Sequence, residues 1–158
     1  MKVIVGASSV WPTPNLASKI LSIMISEPFE PIGVRVNNTK MGETSSVELM
    51  VVKIANRIDL EVVRWPAGGS GTGSSIAFKR DVEMVRAASG VYAFLGPECS
   101  ADEGGTQHVL ACALRDGIPV IAYGVEDDGS FIEIGSDAGS FWKGINSPWG
   151  FEEVGWRK

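Results

Sequence analysis

The segment GGTQHV (residues 104–109) decides how this chain is interpreted. It lies between an apolar run at residues 91–95 and GIPV at residues 117–120, so the local patterns are strand, glycine turn, helix and strand. Two glycines and a threonine at a helix start present backbone N–H groups that lack an intrahelical partner. A phosphate or another anion can approach such groups closely. The segment predicts an α/β fold and suggests an anion site, although such turns also serve folding alone.

Composition defines the broad class of protein. With 158 residues, of which 44% are hydrophobic, the chain fits one domain with one substantial core. No apolar stretch reaches the length of a membrane span, and MKVIV (residues 1–5) begins a strand rather than a secretory leader. The formal net charge is −5 and the basic residues are scattered, which argues against nucleic-acid binding. We therefore expect a cytoplasmic protein with neither a membrane nor a nucleic acid as partner.

The cysteines and the histidine give no metal-binding pattern. Cys99 and Cys112 lack CxxC spacing, and His108 is the only histidine of the chain. We expect no metal site, and we interpret both cysteines as small, partly buried apolar residues. His108 is expected on the surface of its helix, near the base of a bound ligand.

Strand and helix patterns alternate from residue 2 to residue 123. Strand patterns cover residues 2–5, 32–36, 60–65, 91–95 and 118–123, and helix patterns cover residues 13–24, 47–58, 76–88 and 106–116. This alternation predicts an α/β, Rossmann-like three-layer domain over residues 1–125, with a mostly parallel sheet of five or slightly more strands.

The remaining residues, 126–158, form an aromatic-rich extension that we expect to pack on the same domain. FIEI (residues 131–134) is a further strand candidate. The extension contains Phe141, Trp142, Trp149, Phe151 and Trp156. Such aromatic density is also compatible with a pocket lid or with an interface of a homodimer or higher homo-oligomer, and these alternatives stay open.

The loops rich in glycine, serine and threonine all fall after strands. They cover residues 6–9, 37–46, 67–75 and 96–106. Because the carboxyl ends of parallel strands meet at one edge of a sheet, these loops are expected to converge there. This edge, near strands one and four, is the predicted ligand site.

Four short motifs carry a resemblance to a known family. GAS (residues 6–8) follows the first strand, TSSVE (residues 44–48) opens the second helix, and RDVEM (residues 80–84) follows a glycine-rich stretch. A Gly-Thr turn at residues 105–106 then leads through a helix to GIPV. Together they resemble the SLOG superfamily, which includes DprA/SMF proteins and the LOG phosphoribohydrolases, and most closely its small stand-alone YspA-like branch. The resemblance covers residues 3–123.

The resemblance implies a nucleotide or nucleotide-derived ligand, with no other cofactor, bound by a sensor or regulatory protein. The helix start would hold phosphate, the loop after the first strand would contact it, Arg80 would supply charge, and Glu48 would accept hydrogen bonds from ribose hydroxyls. The residues implied are Gly6, Ser8, Ser9, Glu48, Arg80, Gly104, Gly105 and Thr106.

Four departures from the family pattern bear on activity. The second loop lacks the family's glycines and has Glu48 where an aspartate is usual, and Asp81 replaces a neutral amide. This carboxylate would repel phosphate unless Arg80 or Lys79 balances its charge. The LOG enzymes place a catalytic glutamate three positions after the threonine, where this chain has Val109.

The alternative is an enzyme acting at an N-glycosidic bond, similar to a LOG phosphoribohydrolase or a nucleoside deoxyribosyltransferase. Such chemistry needs a carboxylate at the anomeric carbon. Glu48 and Glu98 are the leading catalytic candidates, with Asp81 and Glu103 also considered. A serine hydrolase is disfavoured, because nothing in the sequence orients His108 toward Ser8 or Ser9.

Overall fold

Strands and helices alternate along the chain and build one sheet with helices on both faces. The computed structural model describes residues 1–6, 13–26, 30–36, 46–66, 73–94, 104–125 and 131–135. The elements in chain order are β1 (Lys2–Gly6), α1 (Thr13–Ile25), β2 (Ile32–Val36), α2 (Ser46–Arg57), β3 (Val62–Pro66), α3 (Gly73–Arg86), β4 (Gly90–Phe94), α4 (Gly104–Asp116), β5 (Val120–Val125) and β6 (Phe131–Gly135).

The strand order is β3-β2-β1-β4-β5-β6. Strands β1 to β5 are parallel to their neighbours, whereas β6 runs antiparallel to β5. The chain moves outward from β1 to β3 on one side and then crosses to β4 on the other side. The direction of winding therefore reverses between β1 and β4, where parallel α/β sheets form a crevice at their carboxyl edge.

Two apolar clusters cover the two faces of the sheet. Helices α1 and α2 pack against one face around Ile4, and α3 and α4 pack against the other around Val3 and Val5. All five residues of β1 are buried, because a central parallel strand is covered on both sides. These layers confirm the predicted Rossmann-like α/β fold.

Element boundaries differ from the predicted ones by a few residues. Helix α4 begins at Gly104, two residues before the predicted start, since N–H groups of a first turn need no intrahelical partner and glycine is tolerated there. Strand β5 begins at Val120, after Pro119, which cannot donate to the sheet. Gly117 ends α4 with a φ of 71°, the left-handed conformation expected of a glycine C-cap.

The predicted strand in the extension is present as β6. Phe131 pairs with Val125, and the register shifts between Ala122 and Tyr123. The rest of residues 126–158, including the five aromatic residues named above, lies outside the described residues. Among the helices described, none is long and apolar enough to cross a membrane.

Candidate functional site at the carboxyl edge of the sheet

Gly6 ends β1 in direct contact with the start of α2. A Cβ atom at this position would lie 2.5 Å from Val47 Cβ, so only glycine allows the two elements to approach this closely. The Gly6 N–H donates to Glu48 Oε1 at 3.4 Å, and the Gly6 carbonyl accepts from Arg35 Nη2 at 3.2 Å. The end of β1 is therefore tied to two charged side chains from neighbouring elements.

Arg35 and Glu48 form a buried ion pair beside Gly6. Arg35 Nε and Nη2 both donate to Glu48 Oε1, at 3.0 and 2.5 Å. Glu48 is 2% exposed and lies in the first turn of α2, where the helix dipole favours a carboxylate. Arg35 is 9% exposed and projects from β2. Each charge depends on the other, because an unpaired charge at such depth is strongly destabilising.

The same guanidinium reaches α4 on the opposite face of the sheet. Arg35 Nη2 donates to Thr106 Oγ1 at 3.1 Å, and Thr106 lies in the first turn of α4. Thr106 is 2% exposed. Among the described residues, no acceptor lies within hydrogen-bonding distance of its hydroxyl proton. Arg35 thus connects β1, α2 and the glycine-rich start of α4 across the point where the winding reverses.

A second polar cluster lies between α3, α4 and the ends of β2 and β3. Arg80 Nε donates to Asp81 Oδ1 at 2.7 Å, and Arg80 Nη1 donates to the carbonyls of Val36 and Trp65 at 3.3 and 3.0 Å. Asp81 Oδ2 lies 3.0 Å from His108 Nδ1. All three charged or titratable side chains are buried. Arg80 therefore balances the carboxylate of Asp81, as sequence reasoning required.

His108 is not a surface residue, so the sequence-based prediction was wrong. The ring is buried because Asp81 on α3 pairs with it and draws it between the two helices. Cys112, one turn further along α4, is 3.8 Å from His108 Nε2. Burial, reinforced by the negative charge of Asp81, raises the pKa of the Cys112 thiol to about 12. The thiol stays protonated at neutral pH and packs as an apolar side chain, so this cluster offers no nucleophile.

The sequence-predicted site residues fall into three groups. Gly6, Glu48 and Thr106 belong to the network of Arg35, and Arg80 lies over the neighbouring strand ends. Gly104 and Gly105 form the first turn of α4 together with Thr106. The remaining predicted residues lie outside the described residues, and they are Ser8, Ser9, Glu98 and Glu103.

Arg35 was not identified from the sequence, although a signal for it exists. IGVRV (residues 32–36) is apolar apart from this one arginine. In a strand covered on both faces, a cation needs a specific partner, so its presence indicates a buried polar contact. What the sequence does not reveal is that the partners are Glu48 and Thr106, which are distant along the chain.

Val109 belongs to the apolar core between α4 and β1. It is fully buried in the cluster that contains Val3 and Val5. The position that the SLOG resemblance would equate with the LOG glutamate is therefore a core position in this chain.

A cavity of about 140 Å³ lies at the opposite, amino edge of the sheet. Its lining includes Lys2, Ser89 and Pro119. Lys2 Nζ donates to the Ile23 carbonyl and to Ser26 Oγ, at 2.8 and 2.7 Å. The buried ammonium therefore caps the end of α1, and the cavity is remote from the glycine-rich helix start.

Comparison with known proteins adds no family. No protein-family model matches the sequence, and no curated protein is similar to it. Within the described part of the chain, no three His, Cys, Asp or Glu side chains are grouped so that they could hold a metal ion.

Proposed function

We propose that this protein binds a nucleotide or a nucleotide-derived ligand at the carboxyl edge of β1 and β4, as a sensor or regulatory protein of SLOG type. The observation that carries the proposal is the hydrogen bond from Arg35 to Thr106. It brings a guanidinium and a hydroxyl to the glycine-rich start of a helix, at the edge where parallel α/β sheets bind ligands.

The phosphate of the ligand would bind the first turn of α4. The backbone N–H groups of Gly104, Gly105 and Thr106 have no intrahelical acceptor there, and the glycines add no side-chain bulk. The Thr106 hydroxyl accepts from Arg35 and keeps its own proton for the ligand. Arg35 places a positive charge beside this hydroxyl. Hydrogen bonds from such a charged group are about twice as strong as neutral ones.

In this proposal Glu48 acts first through Arg35. Its carboxylate receives two hydrogen bonds from the guanidinium and one from the Gly6 N–H, so it orients the arginine beside Thr106. The ribose contact that the resemblance implies for Glu48 is a separate proposal. The affinities of Glu48→Gln for a nucleotide, for its free base and for inorganic phosphate separate the two roles. If Glu48 orients Arg35, the variant binds phosphate more weakly as well as the nucleotide. If Glu48 contacts only the ribose, phosphate binding is unchanged.

The proposal includes no chemical step. Cleavage of an N-glycosidic bond needs a carboxylate at the anomeric carbon, and the position of the LOG glutamate is occupied by buried Val109. We therefore expect binding without turnover.

Calorimetric titration tests the binding. The ligands are the 5′-mono- and diphosphates of the four ribonucleosides and ADP-ribose, and the variants are Thr106→Val and Thr106→Ser. Loss of the hydroxyl should weaken binding roughly tenfold, whereas serine should retain it. Arg86→Gln, at an exposed position of α3, is the matched control and should bind as the wild type does. Circular dichroism confirms that each variant is folded.

Two results would reject this function. The first is that no ligand of the panel binds, and the second is that Thr106→Val binds as tightly as the wild type. Chromatography for free base after incubation with each nucleotide tests the absence of turnover. Release of base that disappears in Glu48→Gln would instead favour the N-glycosidic enzyme.

A further inference from the structure

Arg80 has a buried hydrogen-bond donor for which the described part of the chain supplies no acceptor. Its Nε and Nη1 atoms donate to Asp81 and to the carbonyls of Val36 and Trp65. Among the described residues, no acceptor lies within hydrogen-bonding distance of Arg80 Nη2. The side chain is only 7% exposed, so water compensates little of this loss. Unmade hydrogen bonds of buried charged groups are rare and costly, and they point to a partner that binds there.

The charges around Arg80 favour a directional contact with an anion. Asp81 uses one oxygen for Arg80 Nε and the other for His108, so its carboxylate lies at the edge of the guanidinium that Nε and Nη2 share, and only the Nη2 proton on the far side points away from it. It also neutralises part of the arginine charge. A ligand would therefore be held by N–H donors at short range rather than by long-range attraction.

Arg80 lies at the same sheet edge as Thr106 but at different strands. Thr106 is joined through Arg35 to Gly6 at the end of β1, whereas Arg80 Nη1 contacts the carbonyls of Val36 and Trp65 near the ends of β2 and β3. Strands β1, β2 and β3 are consecutive neighbours in the sheet. Since adjacent strands are about 4.8 Å apart, the strand ends that the two groups contact are roughly one to two strand spacings, or about 5–10 Å, apart.

We propose that Arg80 forms a second anion subsite, and that the ligand is a nucleotide with a second phosphate on the ribose, a nucleoside bisphosphate. This inference rests on the proposed function, because the 5′-phosphate occupies the start of α4. The ribose bridges the two subsites, and its 2′- or 3′-phosphate accepts from Arg80 Nη2. The spacing of the strand ends that the two donor groups contact is of the order that separates two phosphates on one sugar.

Calorimetry with paired ligands tests this subsite. The ligands carry the base that the nucleotide panel favours. For adenine they are 5′-AMP, ADP, adenosine 2′,5′-bisphosphate and adenosine 3′,5′-bisphosphate. We expect one of the two ribose bisphosphates to bind roughly tenfold more tightly than the monophosphate. ADP carries a similar added charge at the 5′ end, away from Arg80, so Arg80 should not increase its affinity. Arg80→Met should abolish the bisphosphate preference, whereas Arg86→Met, at an exposed position of α3, should retain both the preference and the 5′-AMP affinity.

The outcomes separate this inference from the proposed function. Equal affinities for the monophosphate and both ribose bisphosphates overturn the Arg80 subsite alone, as does a preference that persists in Arg80→Met. Binding of no nucleotide overturns both. If Arg80→Met does not fold, Arg80→Lys takes its place, because lysine keeps the charge but lacks the planar guanidinium. It should lose most of the preference for the bisphosphate. The ratio of the wild-type affinities for the bisphosphate and the monophosphate tests the subsite without any variant.

Discussion

Arg35 and Thr106 are 71 residues apart in the chain and are joined by a hydrogen bond of 3.1 Å. Arg35 projects from β2, and Thr106 belongs to the first turn of α4. Because the same guanidinium is paired with Glu48 on α2, the start of α4 is connected to a helix on the other face of the sheet. A buried ion pair therefore determines the surroundings of the candidate anion site.

Breaking this ion pair from one side should be strongly destabilising. Arg35→Gln and Glu48→Gln should each lower the free energy of unfolding by about 3–5 kcal/mol, because each removes the oppositely charged side chain that pairs with a buried charge. The double variant should cost clearly less than the sum of the two, since two amide side chains can bond to each other. Urea unfolding measures all three, with exposed Lys53→Gln as control, and strict additivity would contradict the coupling.

Gly6→Ala tests the contact between β1 and α2. The added methyl group would lie 2.5 Å from Val47 Cβ, whereas at Gly90 the nearest atoms would be 3.8 Å away. We expect Gly6→Ala to lower the free energy of unfolding by about 1–3 kcal/mol or more, through overpacking. Gly90→Ala is the matched strand control and should change it by less than about 1 kcal/mol. Comparable losses at both positions in thermal unfolding would show that the close approach is not the cause.

Gly117→Ala tests a different property of glycine. Among the described residues, no atom beyond the adjacent chain lies within 4 Å of a Cβ built at this position, so overpacking is not expected, but the φ of 71° is unfavourable for other residues. We expect a loss of about 1–2 kcal/mol from the backbone alone. Gly117→Asn should lose less, because asparagine tolerates this conformation. If alanine were neutral in chemical unfolding, the C-cap interpretation would fail.

The Cys112 thiol should not react with alkylating reagents in the native protein. Its pKa is raised from 9.0 to about 12, so the thiolate needed for alkylation is scarce at pH 8. Iodoacetamide labelling followed by peptide mapping should modify Cys112 only in denaturant. Labelling at equal rates in native and denatured protein would contradict this expectation.

The same raised pKa defines a pH window for stability. The unfolded thiol loses its proton near pH 9 and the folded one near pH 12, so the contribution of Cys112 is complete below pH 9 and is lost as the pH rises from 9 to about 12. Cys112→Val should lack this component of the alkaline loss. Unfolding free energies measured from pH 8 to 11 compare the two proteins, and identical slopes would argue against the assignment.

The order of elements was predictable because it depends on local patterns. Runs such as VIVG (residues 3–6) are apolar throughout, as expected of strands covered on both faces, and the helices between them show one apolar side. Boundaries were less accurate where glycine was involved. Gly104 and Gly105 are poor helix formers in general, yet they fit a first turn, where the backbone makes no intrahelical donation.

The side-chain partners could not be predicted, since they depend on contacts between distant segments. His108 was expected at the surface because its own helix gives no sign of Asp81, which lies on α3. Arg35 was not predicted as a site residue for the same reason, because its partners Glu48 and Thr106 lie on other elements. Buried charges are tolerated only with suitable partners, and those partners are chosen by packing rather than by spacing along the chain.

The sequence by itself determined the parallel α/β architecture, the glycine-rich start of α4 and the glycine that ends it, because hydrophobic periodicity and backbone freedom act over a few residues. The tertiary structure alone decided that Gly6, Arg35, Glu48 and Thr106 share one network, and that Arg80 covers the ends of two strands. The physical reason for this network is that helices pack on both faces of the sheet and exclude water from these charges. Each charged side chain then depends on the few donors and acceptors within hydrogen-bonding distance.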